Sequence, residues 1–485
     1  MNLKTILTFF LLTAAVLWTG QWIANSNSHY SLAVICGGVF ILLSFFRPDI
    51  GLLVAFISAL LLPGLPLGAA GETSAYYLGR KLVLRYEDII ILMLFAGWWA
   101  QSTVRKIFGI ESKVPRLPFS AAIFVFIGVA ALATVIGIAQ ETTTLTRGGL
   151  FFFKRLEYFL VFFMTYRILS DEKDVLLFLK VFLMVSFVVM MIGLGQIAAT
   201  HGRGLVYSTF TEVGANPLAS FYLLLIPFSL SFFLKAPTGK MRLGMGLYLI
   251  AALINFIFTR SRGGYIAFIF MAVAFFVTLK KYQWIFPSLL LVAFLYFLLP
   301  QNVQKEFESL KAAVPTRHLD AEQVRHYLSI LTPENFARLV RQSGVDPSWG
   351  QRLNALIITL PLVVRHPLFG AGLGSVDLAY VDNQYVLDLV SLGLIGLGAF
   401  LFLLYKLYRF IDAMCYLTRD MNVWISSAAL GIYSGFIGLL VHGLTVTNFY
   451  TIRTMVPFWF LMGILAAVYR LLKTEEEKKG PANPV

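Results

Sequence analysis

An all-α fold that crosses a membrane many times is predicted by three features of this sequence. The chain is 58% hydrophobic and 13% charged, whereas about a quarter of the residues of a soluble protein are charged. Its mean hydropathy is +0.78. Apolar runs long enough to cross a hydrocarbon core recur from one end of the chain to the other. We therefore predict one polytopic membrane protein with about 14 transmembrane helices.

Each predicted transmembrane helix is an apolar run bounded by charged or turn-forming residues. The first run, after Thr5, could instead be a secretory signal peptide. Because no clean small-residue cleavage site follows and another apolar run comes at once, a retained helix is favoured. The predicted spans are residues 5–24, 30–46, 50–66, 88–104, 119–138, 150–169, 175–199, 213–234, 242–259, 263–279, 283–300, 384–405, 423–441 and 453–470.

Basic residues divide unevenly between the two ends of these helices. With a cytoplasmic N-terminus, the inner segments hold 21 of the 39 Lys and Arg residues and the short outer segments hold ten. Since Lys and Arg favour cytoplasmic loops, both termini are predicted to be cytoplasmic in a multi-pass plasma-membrane protein. The formal charge of +14 is then explained by anchoring to anionic lipid, and we expect no nucleic-acid partner.

One long segment interrupts the spans and defines the domain organisation. Residues 301–381 have an ordinary mixed composition with charges at helical spacing. We predict an outer-face helical loop that ends in an interfacial half-helix at RLNALIITLPLVV. It separates eleven spans in 1–300 from three in 382–473. Residues 474–485 are predicted to be a disordered cytoplasmic tail.

Cysteine content and missing motifs exclude several kinds of chemistry. Only two cysteines are present, Cys36 in an apolar run and Cys415 in a predicted basic loop. They can form neither a disulfide framework nor a cysteine metal site. The sequence has no Walker or dinucleotide-binding glycine loop. We expect no cofactor and no metal, so that the substrate or an ion gradient must drive any reaction.

The outer turn TRSRGG at 259–264 is the first candidate site. It places Arg260 and Arg262 on the face where basic residues are disfavoured. On a continuous helix they would point about 200° apart, so they converge only if the chain bends, which Gly263 and Gly264 make easy. Two guanidinium groups beside the amides that open a helix would bind phosphate oxygens. The alternative is a pair of interfacial anchors.

The second candidate is HPLFGAGLGS at 366–375, in which three glycines within five residues predict a tight loop. As a phosphate site it is a weak signal, because no Lys-Ser/Thr pair follows. His366 fits a feature of a helix N-terminal turn better than a ligand. Arg352, at the outer end of the half-helix, is a better candidate for binding an anion.

Two acidic residues mark the outer end of the twelfth predicted span. Asp382 lies at its mouth and Asp388 about a turn and a half deeper. Acids inside membrane segments usually face a cavity or a partner. Asp382 could be a helix N-cap, which is compatible with a catalytic role.

A further cluster predicted to face outward is RGGLFFFKRLEY at 147–158, in which Lys154 and Glu157 could form a structural i,i+3 pair. The secondary site candidates are Arg147, Arg155, Arg203, His366, Asn383 and Tyr385.

Together these motifs resemble the O-antigen ligase and O-antigen polymerase superfamily. The resemblance rests on TRSRGG, the long outer loop and Arg…HPLFGAGLGS…DNQYVLDLVSLGLIGLGAF, from about residue 245 to 400, with a weaker match at 211–227. Thr259 replaces the usual serine. The resemblance implies a metal-independent C-type glycosyltransferase on the outer face of the bacterial inner membrane. It also implies a donor glycan on undecaprenyl diphosphate.

The resemblance implies roles for individual residues. Arg260, Arg262 and Arg352 would bind the diphosphate. Ligases commonly have His-Asn where this chain has Asp382-Asn383, and that histidine is their proposed base. An aspartate can accept the same proton. The replacement favours a polymerase of exopolysaccharide or capsule over a lipopolysaccharide ligase.

The predicted function is therefore an inverting polysaccharide polymerase. One alternative is a ligase that transfers glycan to lipid A core or protein. Another is a transporter of polysaccharide or lipid-linked sugar, although transporters usually have repeated halves and broken helices. The expected partners are the undecaprenyl-diphosphate donor, a saccharide or lipid-linked acceptor and membrane lipid. Chain-length regulators and export proteins are further candidates.

Overall fold

A computed structural model describes most of the predicted membrane part of the chain. The described residues are 28–61, 86–110, 115, 117–202, 204–210, 216–288, 290, 359–376 and 381–479. The predicted span 5–24, most of the span 283–300 and most of the predicted outer loop lie outside them.

Every regular element in the described residues is helical, which confirms the predicted all-α class. Seven of the helices, α4, α6, α7, α8, α10, α11 and α12, are long and apolar enough to cross a membrane. The α-helices are α1 (Ser28–Phe46), α2 (Pro48–Leu61), α3 (Tyr86–Ile107), α4 (Ser120–Ala139), α5 (Leu145–Ile168), α6 (Glu172–Ala199), α7 (Asn216–Lys235), α8 (Gly239–Phe258), α9 (Arg262–Thr278), α10 (Gln384–Leu417), α11 (Val423–His442) and α12 (Ile452–Lys479).

The C-terminal end of α10 corrects one prediction. A loop was expected at 405–422, but the helix continues to Leu417 and leaves only the turn 418–422. The continuation is amphipathic: the buried side chains Leu407, Phe410, Ile411 and Met414 recur at helical spacing. These side chains pack into the core, although their segment contains too many polar residues for hydropathy to predict a transmembrane helix there.

Two further predictions fail for the same reason. Cys415 lies in α10 rather than in a loop, half-buried, and its thiol donates to the Ala429 carbonyl oxygen at 3.1 Å. The predicted disordered tail is helical as far as Lys479, where α12 ends. An i,i+3 ion pair between Lys473 and Glu476, at 2.8 Å, supports this charged last part of the helix.

The turns that the sequence assigns to the outer face lie together at one end of the bundle. The turn between α4 and α5 contacts the glycine-rich loop, since Thr142 Oγ1 donates to the Ala371 carbonyl at 2.6 Å. The N-terminus of α10 contacts the turn after α11 through a hydrogen bond from the Gln384 amide to the Gly443 carbonyl, at 2.8 Å. Helix α11 packs against both α7 and α9. These contacts form the outer end, where most candidate residues lie.

Candidate functional site

The TRSRGG turn connects α8 to α9 and contains the bend that the sequence predicts. The bend falls at Arg260, whose φ of 53° is left-handed. Glycine usually occupies this position after a helix, and another residue there costs about 1–2 kcal/mol. Glu141 and Lys280 follow their helices with similar φ values, so this backbone strain alone does not mark a site. Arg260 and Arg262 are both half-buried, and one Arg260 guanidinium nitrogen donates to the Gly202 carbonyl at 3.2 Å.

The residues around the two arginines hold the turn in place. Ser261 caps α9, since its hydroxyl accepts from the Gly264 amide at 3.1 Å. Gly263 lies directly against Thr445, where a Cβ atom would overlap the threonine side chain. The sequence suggested that the glycines form the bend, but they do not. Instead, Gly263 allows α9 to approach the turn after α11 closely.

The α10 N-terminus packs against that same turn from another direction. Asn383, not Asp382, is the N-cap: its side-chain oxygen accepts from the Tyr385 amide at 2.9 Å and the Val386 amide at 3.1 Å. Its amide nitrogen donates to the Leu444 carbonyl at 3.0 Å. The capping alternative for Asp382 is therefore wrong. Asp382 lies one residue before the cap and is half-buried.

Tyr385, a secondary candidate, has a structural contact. Its hydroxyl donates to the Leu440 carbonyl of α11 at 2.8 Å. Its ring lies against Phe400, with the ring centroids 6.3 Å apart. Tyr385 therefore joins α10 to α11 just below the cap.

The glycine-rich loop 366–375 is tight, as predicted, and its backbone completes a broken helix. Helix α10 is interrupted at Gly393, which has φ 68°. The Leu394 amide donates to the Pro367 carbonyl at 2.9 Å, and the Ala371 amide donates to the Val390 carbonyl at 2.8 Å. The loop thus satisfies backbone groups that the break leaves unpaired.

The close packing of this loop against α10 explains why Gly370 is a glycine. Gly370 also has φ 68°, and a Cβ on it would lie 2.5 Å from the Gly393 nitrogen. Further along the loop, Thr143 Oγ1 donates to the Leu373 carbonyl at 2.9 Å. These amides and carbonyls serve the protein's own backbone, which weighs against a phosphate-binding loop. His366 begins the loop half-buried, and its carbonyl accepts from the Gly370 amide.

Arg155 lies buried beside α10, whereas the sequence suggested that it faces outward. Its guanidinium forms an ion pair with the Asp388 carboxylate, and both side chains are buried. The guanidinium also lies 4.1 Å from the centroid of the Tyr450 ring and 5.0 Å from that of Phe126. Asp388 therefore has the partner that an acid inside a membrane segment requires.

Gln384 connects this ion pair to the outer turns. Its side-chain nitrogen Nε2 donates to Asp388 Oδ2 at 2.8 Å, and its side-chain oxygen Oε1 accepts from the Phe449 backbone amide at 3.1 Å. Nothing in the sequence marks Gln384 for this role. An uncharged polar residue at a helix start gives no signal unless its neighbours in space are known.

Two more charged residues of α5, Lys154 and Glu157, are also buried. Lys154 contacts the Asp88 carboxylate of α3 and lies 3.8 Å from Glu157. The structural i,i+3 pair is therefore confirmed, and this cluster, which the sequence assigns to the outer face, is buried inside the protein rather than exposed. Burial of these charges also explains why α5 contains basic and acidic residues within an otherwise apolar helix.

The remaining candidates differ in position. Arg147 is exposed at the start of α5, and its side chain packs against Gly374 of the glycine-rich loop. Arg203 and Arg352 lie outside the described residues. Among the described residues, no group of three or more His, Cys, Asp or Glu side chains is placed to hold a metal ion.

A small apolar cavity lies beside Arg155, between α4, α5, α10 and α12. The residues that line it are Phe126, Arg155, Tyr158, Phe159, Gln384, Phe400, Leu403, Leu404, Leu407, Phe449, Met455 and Trp459. All of these side chains are buried, so the cavity belongs to the core of the bundle.

Comparison with known proteins agrees with the motif pattern. The model of a family described as O-Antigen ligase matches residues 247–401, from within α8 to within α10. No curated protein matches the chain. The matched region contains the TRSRGG turn, the glycine-rich loop, Asp382 and the broken helix. The resemblance to the O-antigen ligase superfamily seen in the sequence is thereby confirmed over residues 247–401.

Proposed function

We propose that this protein is a polysaccharide polymerase at the outer face of the bacterial inner membrane. It transfers glycan from an undecaprenyl-diphosphate donor to a saccharide acceptor. The observation that carries the proposal is the meeting of two candidate segments at one turn. Gly263 contacts Thr445, and Asn383 donates to the Leu444 carbonyl. The arginine-containing turn and the segment with Asp382 thus both contact the turn after α11.

The proposed reaction uses the arginines and Asp382 in separate roles. An acceptor hydroxyl attacks the anomeric carbon of the donor, and the bond from that carbon to the diphosphate oxygen breaks. The electron pair leaves with the diphosphate, and the hydroxyl proton passes to the Asp382 carboxylate. Attack opposite the leaving group inverts the anomeric centre. Arg260, Arg262 and Arg352 stabilise the charge that grows on the diphosphate.

The lipid part of the proposed donor needs a hydrocarbon environment, which the membrane around the bundle supplies. We therefore place the polyprenyl chain in the surrounding lipid. The cavity beside Arg155 is lined by buried core side chains and is too small for an isoprene unit. The diphosphate is then placed at the outer end of the bundle, where the arginine-containing turn is.

A ligase remains the second candidate because the matching family is described as O-Antigen ligase. A transporter has one feature in its favour, since α10 is broken at Gly393. However, the Pro367 and Leu368 carbonyls already bind the amides that follow the break. Those amides are therefore occupied by the protein and do not form a substrate site.

The function is tested by the lipid-linked glycans that accumulate in a strain lacking this protein. A polymerase predicts single repeat units on undecaprenyl diphosphate, and mass spectrometry of extracted lipids would detect them. Accumulation of long chains would instead identify a ligase. Glycan retained on the cytoplasmic side would identify a transporter.

The outer-face assignment has its own test. We expect a cysteine introduced at Ser309 to react with an impermeant thiol reagent in intact cells, and one at Asp420 only after permeabilisation. Asp420 lies exposed in the turn after α10, and is thus a better marker than the half-buried Cys415. Both native cysteines should first be replaced. The reverse labelling pattern would overturn the topology.

A further inference from the structure

His442 ends α11 directly below the TRSRGG turn and is 0% exposed. Its Nδ1 lies 2.8 Å from Ser220 Oγ of α7, and its Nε2 lies 3.3 Å from Ser261 Oγ. Ser261 also donates to Asn216 Oδ1 at 2.7 Å. One imidazole ring therefore connects α7 and α11 to the residue between the two arginines.

The hydrogen bonds assign the tautomer of this ring. Ser261 has one hydroxyl proton, which it gives to Asn216. Its oxygen can then accept from His442 Nε2–H, in addition to the Gly264 amide. The Ser220 hydroxyl lies 2.8 Å from His442 Nδ1 and 3.3 Å from its other acceptor, the Asn216 carbonyl oxygen, so it donates to the nearer Nδ1. We therefore assign the Nε2–H tautomer, which pairs both ring nitrogens.

We propose that His442 is a positioning residue for the diphosphate site. Ser261 is bonded on either side to Arg260 and Arg262, so a displacement of Ser261 moves the backbone that carries both guanidinium groups. Bidentate contacts to phosphate tolerate displacements of only about 0.5 Å. The identity of the ligand rests on the proposed function, whereas the connection from His442 to the turn does not.

Two substitutions of similar chemistry separate the two bonds of the ring. In His442→Gln, the longer amide reaches the position of Nε2 and can still donate to Ser261. In His442→Asn, the shorter amide reaches the position of Nδ1 and keeps only the bond with Ser220. Ser434→Ala is the control, because it removes a buried hydroxyl from the same helix that donates to the Leu430 carbonyl, away from the turn.

Hydrogen exchange of the full chain in detergent, without ligand, measures the positioning directly. We expect the amides of residues 259–265 to exchange about tenfold faster in His442→Asn, the effect of one lost hydrogen bond. His442→Gln and Ser434→Ala should stay within about twofold of the wild type. Should His442→Asn fold poorly, Ser261→Ala removes the same bond together with the cap of α9 and the bond to Asn216, so its local increase should be at least as large. Unchanged exchange in a folded variant overturns the proposal.

Binding of undecaprenyl diphosphate to the purified protein tests the consequence for the site. We expect a Kd about tenfold higher in His442→Asn and close to wild type in His442→Gln. In an Arg260→Ala/Arg262→Ala background, His442→Asn should add nothing, because it acts through those arginines. An additional loss in that background contradicts a positioning role. If the wild type binds no undecaprenyl diphosphate while the exchange result holds, the proposed function fails and the positioning of the turn stands.

Discussion

Two groups of arginines lie toward the outer end of the bundle in opposite environments. Arg155 is buried, ion-paired with Asp388 and held between two aromatic rings. Arg260 and Arg262 are half-buried in a bent turn, and the Arg260 guanidinium donates to a backbone carbonyl. The sequence presents all three as outer-face cations. The structure separates them by depth.

The comparison shows how depth decides what an arginine can do. In a low-dielectric interior a charge requires a fixed partner, and Asp388 supplies it for Arg155. Burial also raises the pKa of the adjacent Tyr450 phenol, which therefore stays neutral. Arg260 and Arg262 are half-buried, so their guanidinium groups remain partly accessible to water. Arg155 is therefore tied into the core, whereas the two arginines of the turn meet the requirement of partial exposure that the proposed diphosphate site imposes.

The largest effect should come from breaking the buried pair. Arg155→Leu leaves the Asp388 carboxylate uncompensated, which costs about 3–5 kcal/mol. We expect low yield and a lower melting temperature in detergent. Adding Asp388→Leu should recover much of the stability, because neither charge then remains. As a control, Arg147→Leu at an exposed position should change stability by less than about 0.5 kcal/mol. A stable Arg155→Leu variant without activity would move Arg155 into the substrate site.

The arginine-containing turn should give the opposite result. Arg260→Gly keeps the left-handed backbone and relieves its strain, which offsets the loss of the hydrogen bond to the Gly202 carbonyl, so we expect stability within about 1 kcal/mol of the wild type. Polymer synthesis should fall by about 100- to 1,000-fold, because a guanidinium that stabilises the leaving diphosphate is lost. Arg262→Lys keeps the charge without the bidentate geometry and should leave little activity. Normal polymer from both variants would place the diphosphate elsewhere.

Asp382 should show a comparable or smaller loss of activity. Loss of a general base costs about 100- to 10,000-fold, and we expect Asp382→Asn to fall near the lower limit. Helix α10 should keep its cap in this variant, because Asn383 and not Asp382 caps it. Asp382→His should retain partial activity. Synthesis of labelled polymer from lipid-linked repeat units would measure all three proteins, and full activity of Asp382→Asn would remove Asp382 from the mechanism.

Hydropathy predicted the fold class and most helices because a membrane span needs a continuous apolar run. It failed at Leu417 and Lys479, where the helices continue beyond the apolar region as amphipathic or charged segments. It also gave no sign of the break in α10. That break depends on Gly393 meeting a loop that precedes it in the chain.

The site was predictable only where its residues are close in sequence. TRSRGG was found because two arginines and two glycines are adjacent. The partner of Asp388 could not be identified, because Arg155 lies 233 residues earlier in the chain. His442 was missed for a related reason, although a histidine at the end of an apolar span is a detectable signal. Its role depends on Ser220 and Ser261, from two other segments.

The smallest effect should come from Asn383, and it tests whether the two neighbouring residues at the start of α10 have separate roles. Asn383→Ala removes a cap that accepts from the Tyr385 and Val386 amides, which costs about 1 kcal/mol. Polymer synthesis should stay within about threefold of wild type, since the Asp382 carboxylate remains. Asn383→Asp keeps a cap but lacks the amide that donates to the Leu444 carbonyl, so its stability should lie between that of Asn383→Ala and that of the wild type. Melting temperature and polymer yield should be measured for Asn383→Ala and Asp382→Asn together. The melting temperature should fall mainly in Asn383→Ala, and the polymer yield mainly in Asp382→Asn. If Asn383→Ala abolishes synthesis while Asp382→Asn does not, Asn383 rather than Asp382 orients the acceptor.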